Sequence, residues 1–418
     1  MFSLDKFYNI LHNQLISKFQ NGRSAYFQPF GTYENRRVLS NHFELHNVND
    51  SRSDEFKNEA FNQYENFFHC YFFDQEPFYQ FTVDVLTKTP LIAQPSTLTI
   101  TTGPNHIKIL ANSEKSQLLS DTAKENDFYN WYYFFHGFAA LDWYRNFQYV
   151  DMSSFNRFDK VFICYNNLIS NLRSYRLHLV SNFINQDLLN HGLVSLQLKD
   201  TSGTWQETVE DIHNPLDPRA RAKITRALSQ CSSPMIIDTD TPNGSLSAGL
   251  NLDITTKALF HVVTETVYFD TKLHLTEKVF KPIVSQRPFF LVAAPGNLNY
   301  LKSYGFKTFD HWIDESYDLE EDHYIRIEKI TEEIARLCAM EPMDLIMMHK
   351  EMEEVLEYNF NHFYTTFKNT IVDELVDNFD GVLRQINHGR LPNNHSKYHH
   401  RWEIAPDYLE NVKKLLKQ

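Results

Sequence analysis

The sequence predicts an α/β protein built on a mainly parallel sheet. Three short apolar runs, VFICYNN from Val161, ALFHVVTE from Ala258 and PFFLVAA from Pro288, have the length and composition of buried strands. Stretches with apolar residues at helical spacing lie between them, and the clearest starts at Leu168. Strands that alternate with helices favour a parallel sheet with helices packed on its faces. We expect MIID, from Met235, to be a further strand.

The length and the changes in pattern predict two domains and an extension. The chain has 418 residues, which is more than one typical domain. Residues 1–157 are irregular and rich in aromatic side chains, whereas the strand and helix alternation falls within residues 158–367. Residues 368–418 are predicted to form a helical extension. Across 325–386 the helical period of the apolar residues predicts two long helices, and a last helix is expected over 407–417.

Composition and missing motifs disfavour several classes of protein. The formal net charge of -13 gives no global positive field to attract nucleic acid or an anionic membrane. The chain lacks G-x-G-x-x-G, P-loop and G-x-S-x-G motifs, which argues against dinucleotide dehydrogenases, P-loop NTPases and the common serine hydrolases. Its four cysteines are far apart, so we expect buried thiols in a reducing, cytoplasmic compartment. No apolar stretch approaches the roughly 20 residues that span a bilayer, and the oligomeric state is not readable.

The segment LHLTEKVFK carries the most informative pattern for binding. If Thr276 caps a helix, then Glu277 and Lys278 lie in its first turn, beside backbone N–H groups that have no helical partner. A phosphate there would meet those donors and Lys278, while Glu277 would accept hydrogen bonds from ribose hydroxyls. The alternative is an ordinary capped helix with an acidic residue at its start.

Two arginines and one glutamate add to this candidate anion site. Arg173 and Arg176 are three residues apart on a predicted helix, so both guanidinium groups would share a face and grip a diphosphate. The alternative for this pair is a solvated basic face. Glu265 follows an apolar strand, and the carboxyl ends of parallel strands are where open α/β sheets bind ligands.

A competing pattern would bind a divalent metal ion. Asp238 and Asp240 follow an apolar run and form a D-x-D pair, which in some glycosyltransferases holds a metal on the donor diphosphate. The turn residues Pro242, Asn243 and Gly244 come next, so a strand that ends in a turn explains the pair without a metal. We predict no bound metal and no cofactor, with a metal at the D-x-D pair as the alternative.

The string LTEKVFKPI resembles the nucleotide-sugar-binding motif of α-1,3-fucosyltransferases and related GT-B glycosyltransferases. In that family an F-E-N-S element precedes D-Y-V-T-E-K, and here VVTET and LHLTEK take these places. In that family a strand that ends in S-N is followed, after five residues, by an arginine. Here Asn167 is followed by Arg173 at the same spacing. Upstream, YFFDQEP is similar to the E-S-P element that places a glutamate as general base, which makes Glu76 the matching residue and Asp74 its rival.

The resemblance implies a fold, a reaction and a set of site residues. The fold would be GT-B, with two Rossmann-like domains facing a central cleft: an acceptor domain over 1–157, a nucleotide-sugar domain over 158–367, and C-terminal helices. A nucleoside-diphosphate sugar would be the co-substrate, and transfer would be inverting. The donor-binding residues would be Arg173, Arg176, Glu265, His274, Thr276, Glu277 and Lys278. His274 stands where the family has tyrosine, and Thr266 where it has asparagine, so the nucleotide and sugar are left open.

The acceptor and the class of protein also have alternatives. The family implies a glycan acceptor. LTEKVFKPI together with YLKSYGFKTFDHWIDESYD also resembles uncharacterised tailed-phage proteins, which would allow a hydroxylated DNA base as acceptor. The other hypotheses are a non-catalytic protein that binds nucleotide or carbohydrate, and an assembly protein whose aromatic N-terminal half forms an interface.

Overall fold

The computed structural model describes residues 3–18, 22–27, 42–45, 67–80, 82–83, 106–152, 158–237, 248–388 and 406–418. The strands are β1 (Gly22–Phe27), β2 (His42–Leu45), β3 (Phe67–Phe73), β4 (His106–Asn112), β5 (Phe128–Tyr132), β6 (Lys160–Cys164), β7 (Gly192–Val194), β8 (Lys199–Asp200), β9 (Gly203–Thr204), β10 (Ala258–Thr264) and β11 (Phe289–Val292). The α-helices are α1 (Leu4–Ile10), α2 (Gln117–Glu125), α3 (Phe135–Trp143), α4 (Tyr175–Asn185), α5 (Trp205–Glu210), α6 (Pro218–Leu228), α7 (Leu252–Thr255), α8 (Phe280–Val284), α9 (Asn297–Ser303), α10 (His323–Cys338), α11 (Pro342–His362), α12 (Lys368–Asn387) and α13 (Pro406–Lys417).

The chain divides into two compact units. Unit 1 comprises Met1–Asp142 together with Lys368–Gln418, and unit 2 comprises Trp143–Phe367. The C-terminal segment 368–418, which was predicted to be a separate extension, therefore belongs to the same unit as the N-terminal residues. The first boundary lies at residue 142, where the sequence analysis placed it at 157.

Unit 1 contains a parallel sheet with the strand order β2-β1-β3-β4-β5. In sequence the chain adds β2 on one side of β1 and then β3, β4 and β5 on the other. The order therefore reverses between β1 and β3, which is the topological switch point where sheets of this kind bind ligands. Asp74 follows the last residue of β3 and so lies at the carboxyl end of a strand that borders the switch point.

The C-terminal helices of unit 1 pack on β5. The indole of Trp131 is fully buried, its ring centroid lies 4.7 Å from that of Phe379 on α12, and its N–H donates to the Leu375 carbonyl at 3.0 Å. From α13, the Lys417 ammonium lies 2.7 Å from an Asp373 carboxylate oxygen on α12. Burial of the apolar face of α12 explains why residues 368–418 belong to this unit.

Unit 2 contains a second parallel sheet, with the order β11-β10-β6-β7. All seven residues of β10 are buried, as expected of an interior strand covered on both faces. The chain runs from β6 to β7 on one side and then returns to place β10 on the other side of β6. The switch point of this sheet therefore lies between the carboxyl ends of β6 and β10.

The expected α/β class with parallel sheets and helices is confirmed, and several predicted elements are corrected. In the described part of MIID, residues 235–237, the expected strand is absent, and Met235 forms only an isolated antiparallel bridge with Leu196. The two long helices predicted over 325–386 are three, because Pro342 starts a new helix at a position where its missing N–H costs nothing. The helix predicted from Leu168 begins only at Tyr175, after a 3₁₀ turn.

None of the helices in the described part of the chain is both long and apolar enough to cross a bilayer.

Candidate functional site

The carboxyl ends of β6 and β10 bring two of the predicted segments to one edge of the sheet in unit 2. The two strands are parallel neighbours, with Cys164 opposite Val262. The segment after β6 leads to Arg173, and the segment after β10 runs from Glu265 to Lys278. Both segments therefore start at the switch point of this sheet, which is the position where ligands of open α/β sheets bind.

Glu265 fixes the position of Thr276 by closing the loop between them. Its side chain is fully buried, one carboxylate oxygen accepts from the Thr276 backbone N–H at 3.2 Å, and the other accepts from the Thr276 hydroxyl at 2.6 Å. The second oxygen also accepts from the Thr266 N–H at 3.3 Å. Because its hydrogen bonds go to the protein, the Glu265 carboxylate positions the T-E-K segment.

Thr276 in turn organises the two residues that follow it. It caps a 3₁₀ turn over Glu277–Val279, and its hydroxyl oxygen accepts from the Lys278 N–H at 3.4 Å. The Lys278 ammonium donates to that same hydroxyl and to a Glu277 carboxylate oxygen, each at 3.1 Å. The Glu277 side chain is only 4% exposed, whereas that of Lys278 is 32% exposed. Lys278 is therefore the member of this group with the greater access to solvent.

Lys281 is a candidate site residue that the sequence analysis missed. Within residues 274–285 every side chain is buried except those of Lys278 and Lys281, which are partly exposed and three residues apart on one helical face. Desolvation lowers the pKa of Lys281 to about 8, with Glu277 opposing this shift and Lys278 adding to it. In the sequence, the three-residue spacing between Lys278 and Lys281 is the pattern that could have indicated this second lysine. Two neighbouring, partly exposed cations, one of them poorly solvated, suit the binding of an anion.

Arg173 and Arg176 do not act as the matched pair that their spacing suggests. Arg176 is 5% exposed, and its guanidinium donates to the carbonyls of Leu168 at 3.0 Å and Thr264 at 3.1 Å. It ties the end of β10 to the loop after β6, so its role is to position the edge of the sheet. Arg173 ends the 3₁₀ turn before α4 and is partly exposed, so it remains a candidate for contact with an anion.

His274 lies behind the site in the described structure. Its side chain is 1% exposed, and its backbone N–H donates to the Asn297 side chain at 3.0 Å. The Asn297 amide also donates to the carbonyls of Lys272 and Ala294. These bonds hold the loop before Thr276 against the start of α9.

Asp74 and Glu76 belong to unit 1 and differ in environment. Asp74 is 1% exposed and accepts hydrogen bonds from the hydroxyls of Tyr8, at 2.9 Å, and Tyr133. Burial raises the pKa of Asp74 to about 6, against the lowering effect of the two tyrosine hydroxyls. Glu76 is partly exposed and lies in the turn after β3. Both are at the carboxyl end of the same strand.

The residues that the structure describes contain no group of three or more His, Cys, Asp or Glu side chains placed to hold a metal ion. Asp238 and Asp240 of the D-x-D pair lie outside the described residues.

Comparisons with models of known protein families, with curated proteins and with solved structures return no match.

Proposed function

We propose that this chain is a glycosyltransferase that moves a sugar from a nucleoside-diphosphate sugar to an acceptor hydroxyl. The observation that carries the proposal is the placement of the T-E-K segment. Glu265 holds its backbone at the switch point of a parallel sheet, and the partly exposed side chains of Lys278 and Lys281 lie close enough to interact electrostatically. This arrangement suits the diphosphate of a sugar nucleotide.

The proposed donor site uses charge that is already in place. Lys278, Lys281 and Arg173 would face the diphosphate, whose negative charge grows as its bond to the sugar breaks. The Glu277 carboxylate, for which ribose contact was expected, is only 4% exposed and would instead hold the Lys278 ammonium in position. Glu265, Arg176 and His274 would hold these groups in position from behind. No step of this scheme uses a metal ion.

The acceptor hydroxyl needs a base, and unit 1 supplies two carboxylates at its switch point. We propose a GT-B arrangement in which unit 1 receives the acceptor and Glu76 or Asp74 takes its proton as the new bond forms, with inversion at the sugar carbon. A carboxylate with a pKa near 6 is ionised at neutral pH and still a useful base. Glycans and hydroxylated DNA bases are the two acceptor classes to be compared.

Release of free nucleoside diphosphate from a panel of sugar nucleotides tests the proposal. We expect one or a few donors to release nucleotide with water as acceptor, and faster release when the right glycan or hydroxylated base is added. The variant Lys278→Ala should lose this activity. The matched control is Lys329→Ala, whose lysine has similar exposure and pairs with Glu320 on the surface of unit 2. Donor binding without release would indicate a non-catalytic binding protein. The absence of both donor binding and nucleotide release would refute the proposal.

A further inference from the structure

Asp74 cannot reach an acceptor molecule directly in this structure. Its side chain is 1% exposed, and one carboxylate oxygen, Oδ2, accepts from both Tyr8 and Tyr133. If Asp74 is to receive a proton from outside, the proton must pass through one of its hydrogen-bond partners. Only a partner that is itself exposed to solvent can pass on such a proton.

Tyr8 is the partner with access to the surface. Tyr133 is fully buried, whereas Tyr8 is only half-buried. The Tyr8 hydroxyl lies 2.9 Å from Asp74 Oδ2 and also accepts from the Gln75 side-chain amide at 3.2 Å. It thus links the buried carboxylate to Gln75, a partly exposed residue of the turn after β3.

Aromatic packing holds Tyr8 in this position. Its ring lies edge-on to Phe72 of β3, with centroids 5.9 Å apart, and 6.0 Å from Phe135 of α3. Its neighbour Phe7 is fully buried and packs 4.4 Å from Phe138. These three ring contacts pack α1 against the core of unit 1 and hold the Tyr8 hydroxyl within hydrogen-bond distance of Asp74.

The location of the pair is that of a ligand site. Asp74 lies at the carboxyl end of β3, beside the switch point between β1 and β3. The titratable groups that face Asp74 are Tyr8 from α1, Tyr133 from the segment after β5, His136 from α3 and Cys70 from β3 itself. The balance of burial and hydrogen bonds leaves a pKa of about 6, so the carboxylate is charged at neutral pH.

We propose that Tyr8 is a catalytic residue that carries the proton of the acceptor hydroxyl to Asp74. The inference rests on the proposed function. The acceptor O–H gives its proton to the Tyr8 oxygen as the Tyr8 proton moves to Asp74 Oδ2. The acceptor oxygen uses the freed electron pair to bond to the sugar carbon, and the electron pair of the breaking bond leaves with the diphosphate. Asp74 ends protonated and later returns the proton to water by the same route.

Kinetics of four full-length variants test this role, with release of nucleotide from the sugar nucleotide that the donor panel identifies. We expect Tyr8→Phe and Asp74→Asn each to lower kcat by about 100-fold or more, the range for a lost acid or base, while the donor Kd stays unchanged. Tyr133→Phe should lower kcat only several-fold and shift the acidic limb of the pH profile upward. Glu76→Gln should retain more than a tenth of kcat. Wild-type kcat in Tyr8→Phe, or a loss confined to Glu76→Gln, would overturn the relay and leave the proposed function standing.

Infrared titration of the same proteins tests the contact independently of turnover. The wild type should show a protonated carboxyl band that disappears with a midpoint near pH 6, absent from Asp74→Asn and retained in Glu76→Gln. In Tyr8→Phe the midpoint should rise, since the Tyr8 hydroxyl stabilises the charged form. An unchanged midpoint in Tyr8→Phe would overturn the relay. A wild type that releases nucleotide from no donor would overturn the proposed function and the relay with it.

Discussion

Removing the Thr276 hydroxyl should loosen the T-E-K segment by a predictable amount. The hydroxyl donates to Glu265 at 2.6 Å, and it accepts from the backbone N–H of Lys278 at 3.4 Å and from the Lys278 ammonium at 3.1 Å. The substitution Thr276→Val keeps the size and branching of the side chain, so it deletes these bonds without opening a cavity. Thr276→Ser keeps the hydroxyl and is the matched control.

The size of the effect follows mainly from the bond to Glu265 and the cap bond, because the Lys278 ammonium is partly exposed and also donates to Glu277. A hydrogen bond to a charged group contributes about 1.5–3 kcal/mol, and the carboxylate of Glu265 is fully buried, so the upper half of that range applies. The cap bond is long and adds about 0.5 kcal/mol, the low end for an N-cap. We expect Thr276→Val to lower the free energy of local unfolding by about 3 kcal/mol and Thr276→Ser by less than about 1 kcal/mol.

Hydrogen exchange read by mass spectrometry on peptides that cover residues 265–284 measures this local free energy. A change of about 3 kcal/mol corresponds to roughly 100-fold faster exchange in Thr276→Val. Peptides from β1 to β5 of unit 1 report whether the effect is local and should be unchanged. Equal exchange in the Val and Ser variants would refute the view that the bond from Thr276 to Glu265 holds this segment.

Three further predictions concern other parts of the chain. Asp74→Asn should remove a pH dependence of the free energy of unfolding. Because the pKa of Asp74 is raised to about 6, the wild type should lose about 3 kcal/mol of unfolding free energy relative to the variant as the pH rises from 4 to above 6. Urea unfolding at a series of pH values measures this difference. Phe379→Ala should lower the unfolding free energy of unit 1 by about 4 kcal/mol through the cavity left beside Trp131, and a loss below about 1 kcal/mol would contradict the packing of α12 on β5. Nucleoside diphosphate should bind more weakly as the pH rises through about 8, the pKa of Lys281, and Lys281→Met should abolish that dependence in calorimetric titrations from pH 6.5 to 9.

Local patterns in the sequence predicted the elements that carry the candidate site. Period and composition indicated β6, β10 and β11, and the cap signal at Thr276 correctly marked the start of the helical segment after β10. The last helix, expected over 407–417, is observed as Pro406–Lys417. These features depend on neighbouring residues, which is the information that a single sequence contains.

Contacts between distant residues could not be read in the same way. The spacing of Arg173 and Arg176 indicated a shared helical face, but it could not show that Arg176 faces inward to the carbonyls at the end of β10. The pairing of Tyr8 with Asp74 joins residues 66 positions apart and depends on how α1 packs on the sheet. Such contacts follow from the tertiary fold, which periodicity does not specify.

The most direct test of the proposed nucleotide-sugar site is a thermal-shift screen of the full chain with GDP, UDP, CDP and their sugar conjugates, with and without EDTA. A ligand that binds only the folded protein raises its Tm. We expect a clear rise in Tm with one nucleotide, insensitive to EDTA, lost in Lys278→Ala and retained in Lys329→Ala. No shift with any nucleotide, or a shift that persists in Lys278→Ala, would contradict the assignment of a nucleotide-sugar site to the carboxyl ends of β6 and β10.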